Sequence, residues 1–85
     1  MIKQDVISLS EHVEQSKSFE IDKEKFGAFV AQLRKEKGLT QKELAEKTGI
    51  DQSDISKIET GNANPALSTL KRLADGMDMI LRLEF

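Results

Sequence analysis

The amino-acid sequence predicts a mainly α-helical protein, a compact bundle of short helices followed by a C-terminal β-strand. Two observations carry this prediction. Four segments between residues 23 and 75 carry the caps, stops and apolar spacing of helices, whereas the last nine residues alternate apolar and polar side chains with a period of two. With 85 residues, the chain has room for one modest core and not for a large substrate cavity.

The first predicted helix covers residues 23–37. Asp22 is placed to cap its N-terminus, and Gly38 follows a lysine-rich last turn as the stop. Its apolar residues recur at the i, i+3, i+4 and i+7 spacing of one helix face: Phe26, Phe29, Val30 and Leu33. We expect this face to lie in the core.

Two short helices are predicted next. Thr40 and Glu43 have the spacing of a capping box, so a helix should begin at Gln41 and run to Thr48. Gly49 then permits the positive φ of a tight turn. Asp51 is expected to cap the second short helix, residues 52–59.

The clearest loop signal in the chain is residues 61–65. It ends with Asn64, an expected N-cap, and Pro65, which suits the first position of a helix. This fourth helix should run to about Asp75 and end at Gly76.

The tail, residues 77–85, is predicted to be a strand. One of its faces carries Met79, Leu81, Leu83 and Phe85. A lone strand leaves its backbone groups unpaired, so it needs a partner, either the segment 2–7 or the same strand of a second chain. We favour a symmetric dimer joined partly through this tail. For residues 8–20 the sequence leaves a short helix and a mobile arm equally open.

Three regions follow from these elements: an acidic N-terminal extension (1–22) that could bind a partner, a helical domain (23–76) and the C-terminal strand (77–85). The net charge of −2 is unevenly distributed, with −3 over residues 1–24, +3 over residues 25–72 and −2 over residues 73–85. A mildly basic centre between acidic ends suits a protein that meets nucleic acid through its middle.

Enzymatic chemistry has little support in this sequence. There is no cysteine, the single histidine lacks evident co-ligands, and no phosphate-binding loop or nucleophile elbow occurs. We therefore expect no catalysis, no metal and no cofactor, with His12 an exposed helix residue. No apolar stretch approaches the ~20 residues of a membrane span, so a cytoplasmic location is expected.

The two short helices and their glycine turn predict a helix-turn-helix at residues 40–59. Ala45, Ile50, Ile55 and Ile58 are spaced to pack between the helices, and the small Ala45 allows a close approach. The stretch from Thr40 to Gly61 resembles the lambda-repressor-like Xre/Cro family of DNA-binding domains, and the resemblance extends over residues 24–75. The residues that support the motif are Thr40, Ala45, Gly49, Ile50, Ile55, Ile58 and Glu59.

The resemblance implies that the second short helix enters the major groove of double-stranded DNA. Its base-reading residues would be Gln52, Ser53, Ser56 and Lys57. These side chains suit that role, because Gln pairs with adenine and Lys with guanine. The resemblance further implies phosphate contacts from Gln41, Arg34, Asn62 and Asn64, with Arg34 oriented by an ion pair to Glu59.

The predicted function is a sequence-specific transcriptional repressor that acts as a dimer on a palindromic operator. The layout also resembles the HigA-like antitoxins, which implies a small basic ribonuclease toxin as a partner and control of the protein's own operon. Two alternatives stay open: a stand-alone repressor of phage or restriction-controller type, and an interaction module that has the fold without DNA binding.

Overall fold

A computed structural model describes residues 5–9, 12 and 21–82 of the chain, and within them a mainly helical fold, as predicted. Its elements in chain order are β1 (Val6–Ser8), α1 (Lys23–Glu36), α2 (Gln41–Thr48), α3 (Gln52–Glu59), α4 (Leu67–Gly76) and β2 (Ile80–Arg82).

The starts of α1 and α2 follow the capping signals in the sequence. The side chain of Asp22 accepts a hydrogen bond from the Lys25 amide at 3.2 Å. At α2 both halves of the capping box are formed, since the Glu43 amide donates to Thr40 Oγ1 and the Thr40 amide donates to Glu43 Oε1, each at 3.0 Å. Gly49 ends α2 at φ 74°, as predicted.

The starts of α3 and α4 differ from the prediction. Asp51 precedes α3, but its side chain makes no capping hydrogen bond. Helix α4 begins at Leu67, two residues after Pro65, because Ala66 is still extended at φ −69° and ψ 157°. The extended segment keeps Pro65 half-buried beside Ile58 on α3. The N-cap of α4 is therefore Ala66 and not Asn64.

The core gathers residues from every element. The largest fully buried side chains are Ile7, Leu9, Phe26, Val30, Leu44, Ile55, Leu70, Leu73 and Met77. His12 is also buried, with its ring 5.3 Å from that of Phe26 and 4.8 Å from that of Phe29. The expectation of an exposed histidine is wrong, because its partners lie on the predicted apolar stripe of α1.

Strand β2 pairs with β1 in parallel, and the two form a two-stranded sheet within the described residues. Val6 is opposite Ile80, and the Ile80 amide donates to the Asp5 carbonyl at 3.0 Å. Of the two partners considered for the tail, the N-terminal segment is the one observed. The strand begins later than predicted, because Met77 is buried as the C-cap of α4 and Asp78 takes a positive φ of 55°.

Leu81 of β2 and Met79, the residue before this strand, contribute to the core of the same chain. Met79 is 6% exposed and Leu81 is half-buried against the core, whereas Ile80 on the other face is 47% exposed. Leu83 and Phe85 lie outside the described residues. Met79 is therefore a core residue of its own chain and is not exposed for contact with a second copy.

Part of the predicted N-terminal extension also belongs to this core. Ile7 and Leu9 are fully buried and Ile21 is 7% exposed. An ion pair between Asp5 and Lys37 joins the start of β1 to the end of α1. A boundary at residue 23 therefore does not separate two packing units. The alternatives of a short helix and an arm fall mostly on residues 10–11 and 13–20, outside the described residues.

Candidate DNA interface

Helix α3 turns one face to the core and the opposite face to solvent. Ile55 and Ile58 are 0% and 3% exposed and define the inner face. At 3.6 residues per turn, the outer face is centred on Ser53 and Lys57. Three of the four predicted base-reading residues are exposed, and Ser56 is half-buried. The structure therefore brings Gln52, Ser53, Ser56 and Lys57 together on the side of α3 that faces away from the core.

The turn between α2 and α3 is held by a threonine that the sequence analysis did not assign to it. Thr48 Oγ1 donates to the Leu44 carbonyl at 2.8 Å and accepts from the Ile50 amide at 3.2 Å. With Gly49 in the left-handed conformation, these bonds fix the angle at which α3 leaves the turn. Ala45 is half-buried against the core and Ile50 is buried, as the motif requires.

Helix α1 crosses α3 so closely that only glycine fits at the contact. A Cβ on Gly27 would overlap the Ile58 carbonyl oxygen and lie 2.9 Å from that of Glu59. Gly27 is not among the residues predicted from the sequence. A signal was present, because glycine inside a strongly periodic helix costs about 1 kcal/mol relative to alanine and therefore suggests a packing reason.

Arg34 and Glu59 form the predicted ion pair. Arg34 Nε and Nη2 donate to the two carboxylate oxygens of Glu59 at 2.7 and 3.0 Å, and Nη1 donates to the Leu39 carbonyl at 2.8 Å. Gln41 Nε2 donates to the same carboxylate at 3.0 Å. The four residues therefore join the end of α1, the start of α2 and the end of α3.

This ion pair is largely shielded from solvent, unlike a surface pair. The side chains of Arg34 and Glu59 are 11% and 5% exposed, and the hydrogen bonds to Glu59 raise the pKa of Arg34 above its ordinary value. Each of the three guanidinium nitrogens makes one internal hydrogen bond, which leaves one N–H on each Nη for a further acceptor. Phosphate contact by Arg34 and Gln41 stays a prediction.

The loop after α3 places Asn62 and Asn64 at the C-terminal end of the same helix. The Asn62 amide donates to the Lys57 carbonyl and its Nδ2 donates to Thr60 Oγ1, each at 2.8 Å. Gly61 allows this turn with φ 77°. Both asparagines are exposed, and their role in phosphate contact stays a prediction.

The paired helices are less basic than the region around them. Residues 40–61 contain three lysines against five acidic residues, a net charge of −2, whereas residues 25–72 as a whole carry +3. Arg34 compensates Glu59, which leaves the surface close to neutral. Attraction of phosphates by this surface is correspondingly weak.

The described residues contain no group of three or more histidine, aspartate or glutamate side chains that could hold a metal ion. No helix in the described ranges has the length and apolar character needed to cross a membrane.

Residues 30–79 match the helix-turn-helix family HTH_3. The chain belongs to this family. The resemblance drawn from residues 24–75 is thereby confirmed.

Two relatives are each 43% identical to this chain over 51 residues, or 60% of its length. They are an HTH-type transcriptional regulator, y4dJ, of Sinorhizobium fredii and the antitoxin HigA1 of Mycobacterium tuberculosis. The match covers 66% of y4dJ and 34% of HigA1.

Solved structures of restriction-modification controller proteins share the fold. C.AhdI from Aeromonas hydrophila is 38% identical with a TM-score of 0.67, over 68% of this chain and 88% of that protein. C.Esp1396I, as a tetramer bound to its natural 35 base-pair operator, is 33% identical with a TM-score of 0.62, over 65% of this chain and 72% of its own.

Proposed function

We propose that this protein is a transcriptional regulator that binds a specific double-stranded DNA sequence by inserting α3 into the major groove. The observation that carries the proposal is the outer face of α3, where Gln52, Ser53 and Lys57 are exposed on a helix whose position is fixed. The Gly27 crossing and the pair between Arg34 and Glu59 set that position, and base contacts depend on such rigidity.

Each part of the interface has a chemistry suited to DNA. Gln52 can bond both edge groups of adenine, and Lys57 can donate to guanine N7 or O6. Around them, Gln41 at the start of α2, the outer N–H groups of Arg34, and the two loop asparagines would contact phosphates and fix the register on the duplex.

A dimer is the second element of the proposal. Because the paired helices are close to neutral, one copy should bind weakly, and two copies on a palindromic site about one helical turn, ~34 Å, apart would gain affinity together. The operator complex of the similar C.Esp1396I supports multiple copies on one site. We place the contact between copies at the C-terminal tail, through Leu83 and Phe85.

The DNA-binding proposal is tested by selecting binding sites from a pool of randomised duplexes and measuring affinity for the selected site. Changing Gln52 and Lys57 together to alanine should weaken that binding at least about 30-fold, since each good base pairing is worth ~1–3 kcal/mol. The matched control changes Gln32 and Lys71, the same two residue types on exposed positions of α1 and α4.

The control should bind like the unmodified protein. Failure to enrich any sequence, or equal binding by both variants, would overturn the proposal.

The concentration dependence of binding tests the dimer, because a two-copy complex on one palindrome gives a steep curve and a half-site alone binds weakly. Tight binding of a monomer to one half-site would contradict the dimer.

A more specific possibility is an antitoxin that also represses its own operon, and its support is the identity to HigA1. The test is to purify the tagged protein from its native host together with what binds it. A stoichiometric small basic protein that stays bound to the Gln52 and Lys57 variant would support an antitoxin, because toxin binding should use a different surface. Recovery of the regulator with DNA alone would favour a stand-alone repressor.

A further inference from the structure

One side chain on the exposed part of α3 is acidic. Asp54 lies in the first turn of this helix and is exposed. Among the described residues, its carboxylate has no ion pair, even with Lys57 one turn further along the helix. Within the described part of the chain, no basic side chain pairs with this carboxylate.

Asp54 stands at the margin between two parts of the proposed interface. On one side are Ser53 and Lys57 at the centre of the outer face. On the other side is a shallow cleft between α3 and the following loop, bordered by Ile58, Ala63 and Asn64. A duplex seated on α3 would thus bring either base edges or phosphates close to this carboxylate.

Few groups of DNA can meet a carboxylate favourably. Phosphates repel a carboxylate. In the major groove guanine presents the acceptors O6 and N7, and thymine presents the acceptor O4, so neither base offers a hydrogen-bond donor. Adenine offers its amino group directly beside the acceptor N7. Cytosine presents only its N4 amino group as a hydrogen-bonding group, so it is the base that best suits an acceptor side chain.

We propose that Asp54 specifies one base of each half-site of this protein. It accepts a hydrogen bond from the N4 amino group of a cytosine in each half-site, and it disfavours duplexes that place an acceptor or a phosphate there. This inference rests on the proposed major-groove binding by α3. Gln52 and Lys57 would favour particular bases, whereas Asp54 would also exclude DNA sequences that place an acceptor beside it.

A simpler role for Asp54 is electrostatic support of the helix N-terminus, where acidic residues are favourable. That role predicts a loss of thermal stability on substitution with no change in base preference. Asp54→Asn separates the two roles because asparagine is nearly the same size, is neutral, and pairs through its amide with N6 and N7 of adenine. The matched control is Asp75→Asn, the same change at an exposed position of α4.

The experiment selects sites from randomised duplexes with the unmodified protein, Asp54→Asn and Asp75→Asn, after circular dichroism has verified that all three fold. We expect a cytosine at one position of each half-site for the unmodified protein and for Asp75→Asn. In Asp54→Asn that position should change to adenine. Affinity for the cytosine site should fall about 5- to 150-fold, while affinity for unrelated duplex should rise.

Identical selected sites for all three proteins would overturn the role of Asp54 and leave the proposed function intact. If the unmodified protein enriches no sequence, the proposed function fails and this inference fails with it. A selected site without cytosine under α3 would also overturn the inference.

Discussion

At the scale of single residues, α3 is positioned by Gly27, which has no side chain, and by the buried side chain of Arg34. Gly27 lets the backbones of α1 and α3 meet, and Arg34 then holds the end of α3 through two hydrogen bonds to Glu59. The pair could be predicted from resemblance to the family. The glycine contact could not, because it depends on a crossing between helices that are about thirty residues apart in the chain.

Gly27→Ala should destabilise the protein by about 2 kcal/mol or more. The new methyl group overlaps backbone atoms that cannot rotate away, and this cost exceeds the ~1 kcal/mol that alanine gains in helix propensity. Urea denaturation followed by circular dichroism measures the free energy of unfolding.

The control for this prediction is Gly38→Ala, where the added Cβ meets nothing within 4 Å and only a φ of 70° is unfavourable. That variant should lose about 1 kcal/mol. An equal or smaller loss for Gly27→Ala would mean that α1 and α3 do not approach as closely as described. The same variant should weaken operator binding, because α3 must shift to make room.

At the scale of elements, the helices that could be predicted best are those whose ends are fixed by neighbours in sequence. The capping box at Thr40 and the glycine turn at Gly49 involve residues three or four positions apart, so the sequence itself contains both partners. The predicted start of α4 is two residues early, because Asn64 and Pro65 have the local pattern of a helix start whereas Ala66 after them is still extended.

The capping box predicts a specific dependence of stability on pH. The pKa of Glu43 is lowered below its ordinary value of 4.5, chiefly by the hydrogen bond from the Thr40 backbone amide and secondly by the hydrogen bond to the Thr40 side chain. A carboxyl group with a lowered pKa in the folded state stabilises the protein above 4.5, and this contribution is lost as the pH falls towards the lowered value. Glu43→Gln keeps an acceptor for the Thr40 amide and removes the titration.

Measuring the free energy of unfolding from pH 7 to pH 3 tests this prediction. The unmodified protein should lose more stability below pH 4.5 than Glu43→Gln does, while above it the unmodified protein is the more stable of the two. Glu46→Gln, which removes a charge from the same helix without affecting the cap, should retain the acid dependence. Parallel curves for the unmodified protein and Glu43→Gln would show that the cap has no role in the pH dependence.

At the scale of the whole molecule, the two ends of the chain close the fold together. Strand β2 was predicted from its period of two, but its partner was left open, and the pairing of Val6 with Ile80 joins residues 74 positions apart. The acidic composition of residues 1–22 predicts a separate extension. It does not predict that the apolar Ile7 and Leu9 within this segment are buried in the core. Composition averages over a segment, whereas burial depends on the individual side chains that face inward.

The final prediction compares adjacent residues of β1 on its two faces. Ile7→Ala should destabilise the protein by about 2–5 kcal/mol, since Ile7 is 1% exposed and its truncation leaves a cavity in the core shared with the helices. Val6→Ala should cost less than about 1 kcal/mol, because Val6 is 40% exposed on the outer face.

Both variants lose apolar surface from the same three-residue strand, so a difference between them in stability reports burial and not strand propensity. If β1 is part of one cooperative core, Ile7→Ala should lower the melting temperature measured by far-ultraviolet circular dichroism, which follows the helices. It should also lower the protection of the α4 amides from hydrogen exchange. A stable Ile7→Ala protein, or loss of protection confined to residues 5–9, would mean that β1 folds independently of the helices and that the DNA-binding unit is complete without it.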